Sequence, residues 1–172
     1  QVLHYGRPGT GEELVPGMVS LSTLLKVLQT LLAEQVPVRD IRSIAEAISN
    51  VASKSQDPAA MVAAVRVALS RAIVQSIVGL EPELPVITLE PRLEQLLLNS
   101  LQKAGQGSED GILLEPGMAE KLQRSLVEAA QRQEMLGKPV ILLVAGPVRA
   151  MLSRCARLAV HSMHVLAYQE IP

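Results

Sequence analysis

From Ser20 to Ile77 the apolar residues recur three and four positions apart in three successive runs, a spacing that restricts this half of the chain to packed helices. The first run holds Leu21, Leu24, Leu25, Leu28, Leu31 and Leu32, read as one stripe of a helix with Ser20 or Ser22 as its N-cap. Pro37 interrupts the pattern. It keeps Val36 extended and suits the first turn of a second helix, in which Val38, Ile41, Ile44, Ala45, Ile48 and Ala52 share a face. Asp57-Pro58 opens a third helix, an N-cap followed by proline at the first helical position. Its stripe runs through Met61, Val62, Val65, Leu69, Ile73 and Ile77 until Gly79 ends it. Three amphipathic helices with short connections make a helical subdomain.

The period then changes. "LEPELP", Leu80 to Pro85, sets two prolines close together and stops the helical pattern, and "VITL", Val86 to Leu89, is short and β-branched, as a strand is. Arg92 to Leu101 reads as a helix, "KAGQGSEDG" as a loop, and Glu115-Pro116 as the start of a long helix through Met118, Leu122, Leu126 and Ala130 to about Met135. Gly137-Lys138-Pro139 turns the chain into "VILLV", Val140 to Val144, which is apolar on both faces like a central strand of a parallel sheet. Gly146-Pro147 starts a helix to about Leu158, and "MHVLA", Met163 to Ala167, is a third strand. The predicted fold class is α+β: a Gly/Pro-rich linker over 1–13, a helical subdomain over 14–80, and an α/β subdomain over 84–172. The last is expected to carry a mostly parallel three-stranded sheet with right-handed crossovers.

Composition narrows the function. The chain has no Phe and no Trp, and only Tyr5 and Tyr168 among aromatics, so the core is aliphatic and base-stacking platforms have nothing to be built from. With a net charge of −1 there is no electrostatic footprint for a phosphate backbone, and nucleic acid is not expected as a partner. Cys155 is the only cysteine, which leaves neither a disulfide framework nor a thiolate zinc site. Apolar runs such as Val140 to Ala145 are far shorter than the ~20 residues of a membrane span, so no direct membrane contact by this segment is expected.

Reactive constellations are sparse. His161 and His164 form an H-x-x-H that a helix would place on one face but a strand sends to opposite faces, and the flanking "MHVLA" reads as strand. Cys155 shares a helix with Met151, Leu152 and Leu158, and reads as a buried or half-buried thiol; a nucleophilic one would want a base, for which His161 is the local candidate. Glu109 and Asp110 lie in a glycine-rich loop without an apolar pocket. No Walker loop, G-x-S-x-G or H-E-x-x-H is present. Catalytic residues, cofactors and metals are accordingly not expected. The alternative is a small α/β enzyme with its site at the strand carboxyl ends, near Glu90, Ala145-Gly146 and Tyr168.

One polar cluster stands out. Around the second helix Arg39, Arg42, Ser43 and Glu46 fall opposite the apolar stripe, Asp40 flanks the helix start where it complements the dipole, and Arg42 and Glu46 are four apart and can pair. They are either a solvated face or a contact surface.

The segments "ELVPGMVSLSTLLKVLQTLLAEQVPVRDIRSIAEAI" (Glu13 to Ile48), "VRVALSRAIV" (Val65 to Val74), "LPVITLEPRLEQLL" (Leu84 to Leu97), "RQEMLGKPVILLV" (Arg132 to Val144) and "VLAYQEIP" (Val165 to Pro172) resemble the cytoplasmic region of the flagellar export-gate family, FlhA, and its relatives in virulence-type type III secretion. The resemblance implies the third and fourth of four cytoplasmic subdomains, in a protein anchored at the cytoplasmic face of the bacterial inner membrane by sequence not present here. It implies a homo-oligomer (a nonameric ring in the full protein), with export chaperone-substrate complexes and the ATPase stalk protein as partners. Under it, Arg39, Asp40, Arg42 and Glu46 become candidates for a subunit or partner interface, since guanidinium groups pair bidentately with carboxylates. The likeness lapses over Gln1 to Gly11. The family continues past "QEIP" with another strand, so an open sheet edge is expected.

Overall fold

A computed structural model describes residues 19–104 and 116–172. The expected linker over 1–13, and Glu109 and Asp110, lie outside the described residues. The described residues divide into two compact units, with the division between Gly79 and Leu80.

The first unit is helical: α1 (Leu21–Ala33), α2 (Ile41–Ala52), α3 (Pro58–Ala68) and α4 (Ser70–Val78). α1 and α2 both pack on α3, around Leu24, Val27, Leu31, Ile48, Met61 and Val65. Ser20 is the N-cap of α1, its hydroxyl accepting the Thr23 N–H, and Asp57 caps α3 with Pro58 following. Three sequence expectations need correction. α2 begins at Ile41, not near Val38: Asp40 accepts from the N–H and the hydroxyl of Ser43 at 3.1 and 2.6 Å, so Pro37 and Val38 stay in the connection. The single helix expected from Pro58 to Gly79 is two helices bent by 68° at Leu69, with no proline or glycine there to signal it. Buried Leu69 ends one helix by donating to Val65 O and starts the next by accepting from Ile73 N, which keeps both Val65 and Ile73 in the core.

α1 also departs from the single stripe expected of it. Leu24, Val27 and Leu31 are buried, whereas Leu21, Leu25 and Leu32 are 50%, 46% and 58% exposed. At about 100° per residue, Leu21, Leu25, Leu28 and Leu32 form a row about a quarter-turn away from Leu24, Val27 and Leu31. The presumed single stripe is two rows, and only one faces α3.

The second unit carries β1 (Ile87–Thr88), α5 (Pro91–Ala104), α6 (Pro116–Met135), β2 (Ile141–Val144), α7 (Gly146–Ala159) and β3 (His164–Ala167), followed by a 3₁₀ turn at Tyr168–Glu170. The sheet order is β1-β2-β3, with both pairings parallel: Ile87 sits opposite Leu142, and Leu142 opposite Val165. The fold class is thus α+β as expected. Leu142 and Val165 join Leu97, Leu126 and Leu152 in one core beneath the helices. Ile141 and Leu142 are both fully buried, so water is excluded from both faces of the central strand. No single described helix is long and apolar enough to cross a membrane.

Candidate functional site

The α1–α2 junction is a tight turn with an exposed polar rim. After α1 the Val36 N–H donates to Leu31 O at 2.9 Å and the Gln35 N–H to Leu32 O at 3.0 Å, the paired bonds of a Schellman motif. Gln35 supplies the left-handed residue that motif needs, at φ 61°, where glycine is usual. The chain then buries Val36 and exposes Arg39 and Asp40 ahead of α2.

Of the four sequence candidates, three are engaged on α2 itself, Asp40 with Ser43 and Arg42 with Glu46, and all four are exposed. Asp40 is the N-cap of α2, and its bonds from Ser43 hold its carboxyl below the usual carboxylate range, with a smaller contribution from the Arg42 charge. Arg42 Nε lies 3.3 Å from Glu46 Oε1, both on the exposed side of α2. Arg39 is exposed beside them. The residues flanking this rim are apolar: Leu32 in the last turn of α1 and Ile41 in the first turn of α2 are both largely exposed.

The structure also exposes what sequence reasoning missed. Arg66 is 2% exposed on α3, with its Nη1 3.7 Å from Glu34 Oε1, while its neighbour Val67 is largely exposed. On α3 Arg66 falls next to Val62 and Leu69, and Val67 points the other way. Stepping around the helix, rather than ranking residues by hydrophobicity, would have found this inversion.

At the strand carboxyl ends, where the enzyme alternative placed its site, the chain's own side chains bond to one another. The Tyr168 hydroxyl lies 3.3 Å from Glu94 Oε2, and its pKa is pushed up, first by desolvation and then by that carboxylate. The Gln169 amide lies over Gly146 so closely that a Cβ there would meet its Oε1 at 3.0 Å. Glu170 is buried against Arg149, Oε1 to Nε 3.5 Å. Glu90 is exposed. His161 lies in the turn before β3 and His164 is the first residue of the strand. Cys155 is half-buried with its Sγ 3.7 Å from Met151 Sδ; burial pushes the thiol pKa up, against a weaker opposing pull from Arg154, which disfavours a nucleophilic thiolate.

With this geometry in hand, the chain falls among proteins of one family. The FHIPEP family profile matches residues 3–172, and the chain belongs to that family. It is 45% identical over 164 residues to the flagellar biosynthesis protein FlhA of Proteus mirabilis and 46% to that of Salmonella typhimurium, covering 95% of this chain. The chain spans only 23% of the length of those relatives. Among solved structures, the Shigella flexneri MxiA protein superposes with a TM-score of 0.80 at 28% identity, over 96% of this chain and 50% of that one. The nonameric EscV cytosolic domain from the type III secretion system superposes at 0.70 and 25% identity, over 88% of this chain and 44% of that one.

Proposed function

We propose that this chain is a non-enzymatic docking and ring-forming segment of a flagellar type III protein export gate. The reading rests on the family match across residues 3–172 and on the FlhA relatives. The helical unit corresponds to the third cytoplasmic subdomain, 14–80, and the α/β unit to the fourth, 84–172. In the complete protein these subdomains lie on the cytoplasmic side of the inner membrane, and the ring they help close receives export chaperone-substrate complexes and engages the ATPase stalk protein. The nonameric assembly of the EscV domain supports ring formation.

At residue level, Arg39 and Arg42 reach from the α1–α2 junction to carboxylates of a neighbouring subunit or partner, with Asp40 and Glu46 fixing the helix end and the arginine rotamer. Introducing Arg39→Ala with Arg42→Glu into the complete cytoplasmic region should weaken ring assembly in sedimentation velocity while circular dichroism stays unchanged. Assembly equal to wild type would remove these residues from the interface.

A further inference from the structure

The amino ends of β2 and β3 carry a second surface, made from other residues in the other unit. α6 enters β2 through the Gly137 turn, and α7 enters β3 through residues 160–163. Because β2 and β3 are paired in parallel, Ile141 opposite His164, the C-terminal ends of both helices meet at the same end of the sheet. The Ser162 hydroxyl ties them together, 3.0 Å from Glu134 Oε1 in the last turn of α6. Here Met135, Leu136 and Leu158 are 87%, 66% and 82% exposed. Arg132, Lys138 and Arg154 are exposed in the same two stretches, Arg157 is half-buried, and His161 is exposed. Over residues 132–138 and 154–162 these four Arg and Lys residues face one carboxylate, Glu134, in a chain whose overall net charge is −1.

Helix-end electrostatics account for part of this, since Arg132 and Arg157 in the last turns of α6 and α7 offset the dipoles. They do not account for Lys138 and His161 beyond the helix ends, nor for three large apolar side chains left in water at the same end of the sheet.

We infer that this end of the α/β unit docks an acidic amphipathic helix of a partner polypeptide. The apolar face of that helix covers Met135, Leu136 and Leu158, and its carboxylates meet Arg132, Lys138 and Arg154. Methionine suits such a surface because its flexible thioether adapts to different apolar faces. An anionic bilayer fits less well: the surface offers no Trp or Phe to anchor in the interface, Tyr168 follows the opposite end of β3, and the chain as a whole is slightly negative. Three side chains make a contact well below the ~800 Å² per partner of a stable complex, so the docking is weak, transient and sensitive to salt. This inference rests on the reading of the segment as a docking module and adds a surface and a partner chemistry to it.

The test uses the 172-residue chain and two fluorescent synthetic helices, one with leucines on one face and glutamates on the other, the second with lysines replacing the glutamates. Fluorescence anisotropy should show binding of the acidic helix alone. Met135→Ser with Leu158→Ser should weaken it at least about tenfold, as should Arg132→Glu with Arg154→Glu, and so should about 0.5 M salt. All four positions are exposed, and circular dichroism checks that the fold is kept. Equal binding of both helices, absence of binding, binding indifferent to both double variants, or preferential cosedimentation with phosphatidylserine vesicles would each overturn the proposal. The Arg39/Arg42 variant, altered in the other unit, should bind the acidic helix like wild type. Failure of the ring contact and failure of this surface are thus read separately.

Discussion

The helical unit buries Arg66 against Glu34 and the α/β unit buries Arg149 against Glu170, at 3.7 and 3.5 Å. In each pair one ion stands at the wrong end of a helix. Glu34 is the C-cap of α1, where the dipole is negative, and Arg149 is the fourth residue of α7, near its positive end. Each therefore depends on its counterion more than an ion at the favourable end would. The pairs differ in what they join. Arg66 and Glu34 link the ends of two helices already packed through Leu31 and Val65. Arg149 and Glu170 hold a three-residue turn to the helix beneath it. A buried ion pair thus has a different structural role according to whether apolar packing already fixes its surroundings.

The largest effects should come from breaking one partner. Arg66→Met leaves Glu34 buried without its guanidinium and should cost roughly 3–5 kcal/mol in urea unfolding, and Glu170→Leu should cost a similar amount. Replacing both partners separates the pairs. Arg66→Met with Glu34→Leu should recover most of the loss, because α1 and α3 stay packed. Arg149→Met with Glu170→Leu should recover less, with faster hydrogen exchange confined to β3 and the turn. Equal recovery in the two units would break the distinction.

A smaller contrast lies in the two Schellman turns. Gly137 ends α6 at φ 68° with the Gly137 N–H on Glu134 O and the Lys138 N–H on Gln133 O, the same bonds that Gln35 and Val36 make after α1. Gly137→Ala should destabilise by about 1 kcal/mol even though nothing lies within 4 Å of the added methyl, because the backbone conformation itself is costly. Gln35→Gly should stabilise by up to about 1 kcal/mol in thermal melts. A loss there instead would mean that the Gln35 side chain makes contacts outweighing its strain.

The smallest effect is the pH dependence at Asp40. Its folded pKa is depressed below the ordinary 3.8 by the bonds from Ser43, so its stabilisation is complete above the ordinary carboxylate range and is lost as pH falls below it. The melting-temperature difference between wild type and Asp40→Ala should be constant near neutrality and shrink in acid. A difference that grows in acid would contradict the cap.

Most of the architecture was legible in local pattern. Asp57-Pro58, Gly79, the Gly137 turn and the doubly apolar Val140–Val144 run are short-range signals, and the elements follow them within a few residues. The bend at Leu69 was not legible, because it comes from keeping Val65 and Ile73 in one core and has no breaker residue. The candidate site was legible in part. Arg42 and Glu46 pair as their spacing predicts, and Asp40 turned out to be the cap itself.

The sequence alone determined which stretches are helix or strand and that the core is aliphatic, because these depend on composition, on residue spacing and on neighbours a few positions apart. Only the tertiary structure decided which of two leucine rows on α1 meets water, and that Glu34 is the carboxylate brought against Arg66. It alone gathered Met135, Leu136 and Leu158 at one end of the sheet. Those outcomes depend on where other elements pack, and a periodic pattern records that a face is apolar without recording what covers it.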